Sequence, residues 1–423
     1  MRLVLLTPGT GSFFCGTCVR DNALTLALRS LGHDARMVPM YLPPTLDEAS
    51  GVESSPRFYG GVNVYQQQVA PVFRKTPRWL DAALDGPAAL ASASKRAGST
   101  DPKDLGPLTL SMLRGEDGNQ KKELDRLVSW LKNEARPDAV LLSNALLMGL
   151  GGAIKRATGA RLACTLQGED TFLDALPEPD RTASWEEVKR RSADFDALIA
   201  VSRCHADLMI ARAGLPPERV HVVHNGITLD GYPTVPTAPA VPTVGFLSRM
   251  CAAKGLDTLV EAFCLLGKRH PGVRLAIAGA QTPGDRAFVA AQEARLKSAG
   301  LRDRASFHPN LDRAEKINFL KSLSVFSVPA LYGESFGLYL LEALAAGVPV
   351  VQPRHAAFPE VLAATGGGLL YDDLTPAGLA SALESLLTDP TRATKLGREG
   401  QANVHQNFSV ERMAQEVAKV LNK

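Results

Sequence analysis

A chain of 423 residues exceeds what one hydrophobic core ordinarily organises and points to two domains. With 45% hydrophobic and 22% charged residues it has the composition of a globular protein, and a formal charge of +3 is too small to argue for a nucleic-acid partner. Six cysteines, at 15, 18, 164, 204, 251 and 264, fit a reducing compartment better than a disulfide framework, so a cytoplasmic location is expected.

The opening Met1 to Leu6 meets Pro8 and Gly9 too soon for a signal peptide or a spanning helix and reads as a first strand; no later run supplies a membrane anchor. A loop and a helix around Asn22 to Leu31 follow. Short apolar runs at Ala35 to Met40, Val62 to Tyr65, Ala139 to Leu142, Leu162 to Leu166, Ala197 to Val201 and Val220 to Val223 read as further strands. An insertion at about 42–132 interrupts them. It carries the basic stretch Pro71 to Leu84 and helical pieces at Leu108 to Arg114 and Lys121 to Leu131.

Prolines at 233, 236, 239 and 242 recur every third residue and favour an extended connector over 229–243. A second alternating series begins at Val244 to Leu247. It continues through a helix from Leu256 to Lys268, Val273 to Ala278, a helix from Arg286 to Ala299, Ala305 to Phe307, Val325 to Val328, Val348 to Val351 and Gly368 to Tyr371. The expected fold class is α/β: two Rossmann-like domains, 1–228 and 244–407, with parallel sheets facing a central cleft. A last helix within 408–423 is expected to cross back to the first domain.

The chain is organised around Leu331 to Val351, LYGESFGLYLLEALAAGVPVV. Leu338, Leu341, Leu344 and Ala345 recur at helical spacing, Gly347 suits the end of the helix, and Pro349 prevents its continuation. Gly337 at the helix start lets a ligand approach free backbone N–H groups, which attract phosphate. Two carboxylates flank this point: Glu334 before the helix and Glu342 inside it, each able to accept hydrogen bonds from sugar hydroxyls. Earlier in the same half, Arg249 and Lys254 lie five residues apart at a strand end, where both can face one diphosphate. Taken singly, these features also suit a helix-start acid, a solvated helix face and ordinary loop charges.

Glu334, seven intervening residues and Glu342 together resemble the donor-binding E-x7-E signature of retaining family 4 glycosyltransferases, which have the GT-B architecture. The match runs on through the following strand. The resemblance implies transfer of a hexosyl group from a nucleoside diphosphate sugar to an acceptor hydroxyl on a glycan, a lipid or a small molecule. Arg249 and Lys254 would hold the donor diphosphate, Glu334 would touch the donor sugar near its reacting face, and Glu342 would bind the ribose hydroxyls. Phe336, Gly337 and Leu338 would lend backbone amides to the donor site, which would also include Ser335, and Asn310 would lie near the base, as would Gly279 to Thr282. No cofactor beyond the donor and no obligatory divalent metal is expected, since the two cations would stabilise the leaving diphosphate and no D-x-D loop is found.

In the first half, Gly9 and Gly11 lie in a loop after the first strand, but the G-x-G-x-x-G spacing of a dinucleotide site fails at Phe14. In the glycosyltransferase reading that loop touches donor phosphate or acceptor. Cys15 and Cys18 form a C-x-x-C at a helix start, open to three readings: a redox pair, half of a zinc site or a tight loop. Ser143 and Asn144 stand where many family members have a histidine near the donor sugar. Arg20, Asp21, Gln167, Glu169 and Asp170 are the acceptor-side candidates. His205 suits a satisfied helix-start histidine better than a cleft residue, and His224-Asn225-Gly226 resembles the family's hinge between domains. Trp79 suggests a contact with a membrane surface, against the plainer reading of a packed insertion. Competing readings are a sugar-nucleotide epimerase or phosphorylase on the same architecture, a non-catalytic nucleotide-sugar binder, and a thiol oxidoreductase built on Cys15 and Cys18.

Overall fold

The computed structural model describes residues 1–9, 11, 15–46, 48–52, 58–76, 104–235 and 239–423. Thr10, Ser12, Phe14, Trp79, the rest of 77–84 and Pro236 lie outside the described residues. The chain divides into two units, one comprising 1–224 with 411–423 and the other 225–410.

The first unit holds six parallel strands: β1 (Arg2–Thr7), β2 (Asp34–Pro39), β3 (Ala139–Leu142), β4 (Arg161–Leu166), β5 (Ala197–Ala200) and β6 (Val220–Val222). Their order is β2-β1-β3-β4-β5-β6, with Leu5 opposite Met37 on one side and Leu141 on the other. A parallel sheet covered on both faces needs strands that are apolar throughout. Every residue of β3 and β5 is accordingly buried.

The first helix spans Gly16–Ser30 and so starts six residues before the expected Asn22. The strand expected at Val62 to Tyr65 is instead part of a helix, Gly61–Val69. The β-branched valines suggested a strand, but the inward positions are Asn63, Val64 and Gln67, at helical spacing. Two of the three are polar, which hid the period. Asn63 donates to the buried Glu123 at 3.1 Å and Gln67 to Asn63 at 3.0 Å, so tertiary hydrogen bonds override local propensity.

The second unit also holds six parallel strands: β7 (Thr243–Leu247), β8 (Arg274–Gly279), β9 (Ala305–Pro309), β10 (Val325–Phe326), β11 (Val350–Pro353) and β12 (Gly368–Tyr371). Their order, β12-β11-β10-β7-β8-β9, is that of a doubly wound nucleotide-binding sheet. The first strand, β7, lies between β8 and β10, so the chain reverses its direction of winding there. Loops leaving β7 and β10 therefore diverge at their carboxyl ends and open a crevice. Val244, Phe246, Phe263, Ile277, Phe326 and Leu344 are among the fully buried side chains that support it.

The segment before β7 is tied down at its start. Arg313 donates to the carbonyls of Thr228 and Asp230, and Gln401 to that of Pro233. Ile227, near the start of the unit, and Ser409, near its end, form a parallel bridge. The last helix, Val410–Leu421, buries Met413, Ala414, Val417 and Leu421. Among the described residues, no helix is long and apolar enough to cross a membrane.

Candidate functional site

In the second unit the predicted residues gather at the carboxyl ends of β7, β8, β9 and β10. The helix Leu338–Ala345 starts at Gly337, whose φ of 85° turns the backbone before the first helical residue. Tyr339, Leu341, Leu344 and Ala345 are buried; Leu338 is only half-buried, and Gly347 follows the helix with φ 80°. Ser335 and Phe336 are buried immediately before it.

Lys254, from the β7 loop, reaches Glu334, from the β10 loop, with Nζ 2.7 Å from Oε2. Tyr332 and Tyr339 donate their hydroxyls to the same oxygen at 2.8 and 2.9 Å. Lys254 Nζ also bonds the Tyr332 hydroxyl and stands 4.5 Å from the Tyr332 ring centre and 5.6 Å from that of Tyr339. The ammonium is thus held by one carboxylate and two aromatic faces. The Lys254 and Glu334 side chains are only 21% and 11% exposed, so water screens their attraction weakly. Burial pushes the Glu334 carboxyl up, but the Lys254 charge and the three hydrogen bonds outweigh it, leaving the pKa below the ordinary 4.5.

Arg249 makes a forked contact with Asp285 of the β8 loop, at 3.0 to 3.2 Å. Asp285 also accepts from the backbone and hydroxyl of Thr282 in a capping box. Here too burial pushes the carboxyl up, while Arg249 and Thr282 bring it below its usual value. Asn310, after β9, donates its N–H to Gly279 and accepts from Gln281, which joins the two loops expected near a base. Glu342 pairs with Lys316 at 2.7 Å and is 18% exposed. Met250 N–H donates to Ala280 O at 2.9 Å, locking the β7 and β8 loops side by side.

The sequence pattern did not single out Tyr332, Tyr339, Asp285 or Lys316. The first two flank Glu334 at two and five residues, and a tyrosine beside a motif carboxylate is a readable signal. Asp285 follows Thr282-Pro283, the start of a capping box. Lys316 has no local cue, since its partner lies 26 positions away.

Both lowered carboxylates contribute stability above their unfolded pKa values, and that contribution is lost as pH falls through their depressed folded values. In urea titrations from pH 6 to pH 3, the wild type should lose stability on crossing the ordinary carboxylate range. Glu334→Gln should show a shallower fall. Equal slopes for the two proteins would remove Glu334 from the account.

The first unit treats its candidates differently. Arg20 and Asp21, expected to touch an acceptor or a donor, have fully buried side chains that pair with each other at 2.9 Å. Asp21 accepts from Thr7 at the end of β1, at 3.0 Å, and from Ser143 at the end of β3. It clamps two strand ends and offers no surface. Burial pushes its carboxyl up, against the pull of Arg20, Ser143 and Thr7.

Glu169 is likewise committed: its two oxygens accept the N–H groups of Ala145 and Gln167, each at 2.6 Å. Burial raises its carboxyl, but His205 and the amides win and hold it below the usual range. His205 is buried at its helix start, accepts the Gly168 N–H at 3.1 Å and lies 3.8 Å from Asp170. Asp170 is itself buried, and burial pushes its carboxyl up. Gln167 is half-buried and donates to Ser143 O at 2.6 Å. Gly9 is buried against the Leu42 carbonyl, and Gly11 N–H donates to Pro43 O.

The doubly wound sheet, with cations and carboxylates at its switch point, belongs to an α/β protein of GT-B architecture. Sucrose-phosphate synthase from Thermosynechococcus elongatus superposes with a TM-score of 0.72 at 19% identity, over 99% of this chain and 98% of that one. Anabaena HepE, solved with UDP and glucose, gives 0.68 at 17% identity over the whole of both chains. By sequence, the alpha-maltose-1-phosphate synthase of Mycolicibacterium smegmatis is 32% identical over 57% of this chain and 67% of its own. A D-inositol 3-phosphate glycosyltransferase of Xylanimonas cellulosilytica is 32% identical over 54% of this chain and 56% of its own. The chain spans about half the length of the inositol phosphate glycosyltransferases it matches. The model for glycosyl transferases group 1 matches residues 236–403, and that for glycosyltransferase family 4 matches 109–230. The chain belongs to the glycosyl transferases group 1 family.

Proposed function

We propose that this protein transfers a glycosyl group from a nucleoside diphosphate sugar to an acceptor hydroxyl with retention of configuration and without an obligatory metal ion. The observation that carries the reading is the Lys254–Glu334 pair across the carboxyl ends of β7 and β10, where a doubly wound sheet takes its ligand. Lys254 and Arg249 bring positive charge to the place where a diphosphate would gain negative charge as it departs. Glu334 keeps Oε1 clear of the three hydrogen bonds that engage Oε2, and that oxygen can accept a sugar hydroxyl. Glu342 would accept the ribose hydroxyls in place of Lys316. In the transfer itself, the bond from the anomeric carbon to phosphate oxygen breaks, the acceptor oxygen bonds that carbon on the same face, and the departing phosphate takes the acceptor proton. Gln167, half-buried in the first unit, remains the acceptor-side candidate with side-chain surface to offer. Anabaena HepE, solved with UDP and with UDP-glucose, makes uracil the first base to try.

Calorimetric titration with UDP-, GDP- and ADP-sugars and the free diphosphates, with and without Mg2+, tests this. One nucleotide should bind equally well in both conditions, and Lys254→Ala and Glu342→Ala should each weaken it about tenfold or more. Binding that requires Mg2+ would remove the metal-free route. Binding without turnover over an acceptor panel would favour a non-catalytic nucleotide-sugar binder.

A further inference from the structure

The glycosyl-transfer reading makes no use of Cys15 and Cys18, which sit where the β1 loop enters the first helix. Cys15 is the residue before the helix, with extended backbone (φ −116°, ψ 126°), and Cys18 is in the first turn. Their exposure differs: Cys15 is partly accessible, while Cys18 is fully buried. Three positions separate them, the spacing that brings two side chains together at a helix start. One thiol that a reagent can reach, with a second waiting behind it one turn away, is the arrangement a dithiol needs to close on itself.

The electrostatics agree with the geometry. The Cys18 thiol lowers the Cys15 pKa to about 6, burial opposes this, and the amides of Thr17 and Cys18 at the helix start add to the lowering. Cys164, Cys251 and Cys264 are all pushed up by burial. Of these four cysteines, Cys15 is the one held below the ordinary thiol range. The zinc reading has less to stand on: no group of three or more metal-ligating side chains forms among the described residues.

We propose that Cys15 and Cys18 form a reactive dithiol that closes reversibly into an intramolecular disulfide when it meets a small-molecule disulfide. The Cys15 thiolate attacks one sulfur of the oxidant, forming a mixed disulfide and expelling one thiolate. The Cys18 sulfur, giving up its proton, then attacks Cys15 Sγ and expels the second half of the oxidant as a thiol. Two protein thiols are oxidised to one disulfide, and one oxidant disulfide is reduced to two thiols. The site lies directly before the Arg20–Asp21 clamp that ties the ends of β1 and β3.

The test uses the full chain, reduced and then exposed to oxidised glutathione at pH 7, with intact-mass analysis and mapping of alkylated cysteines. Wild type should become two hydrogen atoms lighter, lose Cys15 and Cys18 as alkylation sites, carry no glutathione there, and recover both with dithiothreitol. Cys18→Ser should trap one glutathione on Cys15. Iodoacetamide labelling of Cys15 in the wild type should be half-maximal near pH 6 and level above about pH 7, while labelling of Cys264 should still be rising at pH 9. A stable glutathione adduct on wild-type Cys15, or a Cys15 profile that tracks that of Cys264, would overturn the proposal. These readouts do not depend on glycosyl transfer.

Discussion

If the proposed transfer holds, Lys254→Ala should lower both glycosyl transfer and stability, and a second substitution separates the two effects. Without the ammonium, the Glu334 carboxylate keeps only the Tyr332 and Tyr339 hydroxyls in a setting where its side chain is 11% exposed. Breaking a buried ion pair from one side typically costs about 3–5 kcal/mol, and the partial exposure of this pair brings the expectation to about 2–3 kcal/mol. Replacing Glu334 by glutamine in the same background removes the stranded charge while keeping most of the shape, and should restore about half of the loss. Transfer should not return. A lost electrostatic contact to a departing group lowers kcat by about 100- to 1000-fold, and the double variant still lacks that contact. Urea denaturation of the wild type, both single variants and the double variant gives the coupling. If Lys254→Ala unfolds at the wild-type midpoint, the pair does not support the fold. If it keeps full kcat/KM, the cation has no part in transfer.

Gly279→Ala is the second large effect. The last residue of β8 has φ 132°, a region essentially closed to residues with a side chain, and an added Cβ would stand 1.9 Å from the carbonyl oxygen of Ser248. That oxygen belongs to the backbone of the neighbouring loop and cannot rotate away. The expected loss is about 3 kcal/mol or more. The clash falls between the loops that carry Arg249 and Asp285, so the Arg249–Asp285 fork and the Met250–Ala280 bond should open together. Nucleotide affinity should drop with stability. Gly272→Ala is the control, because its Cβ would meet nothing within 4 Å and its φ is not positive. It should change stability by less than about 1 kcal/mol. Thermal unfolding and nucleotide titration of both variants decide the matter: equal behaviour would mean that the loop contact is slack.

Much of the fold is legible in the sequence because a covered parallel sheet forces its strands to be apolar from end to end. Ala139 to Leu142 and Ala197 to Ala200 are buried at every position, so a plain run of small and branched residues suffices to find them. The strand misread at Val62 fails for the opposite reason. Its inward face is built from Asn63 and Gln67, whose burial depends on Glu123, about sixty residues on, and no local pattern announces that partner. In the candidate site the same divide holds. Glu334 and Glu342 share one continuous segment, and it is its resemblance to the E-x7-E signature that singles them out. The pairing of Lys254 with Glu334 spans 80 positions and exists only because β7 and β10 are neighbours. Arg20 and Asp21 look like surface charges in a loop-to-helix junction, yet the fold uses them as an internal strap between β1 and β3.

The grouping of 411–423 with the first 224 residues has a consequence for the order in which the molecule is made. A ribosome delivers the second unit as one unbroken piece, so its sheet has all its strands while the final helix is still in the exit tunnel. The first unit, begun earlier, is finished later: Met413, Ala414, Val417 and Leu421 follow every strand of the second unit. The nascent first unit must wait, short of one buried helix, through the synthesis of 186 intervening residues.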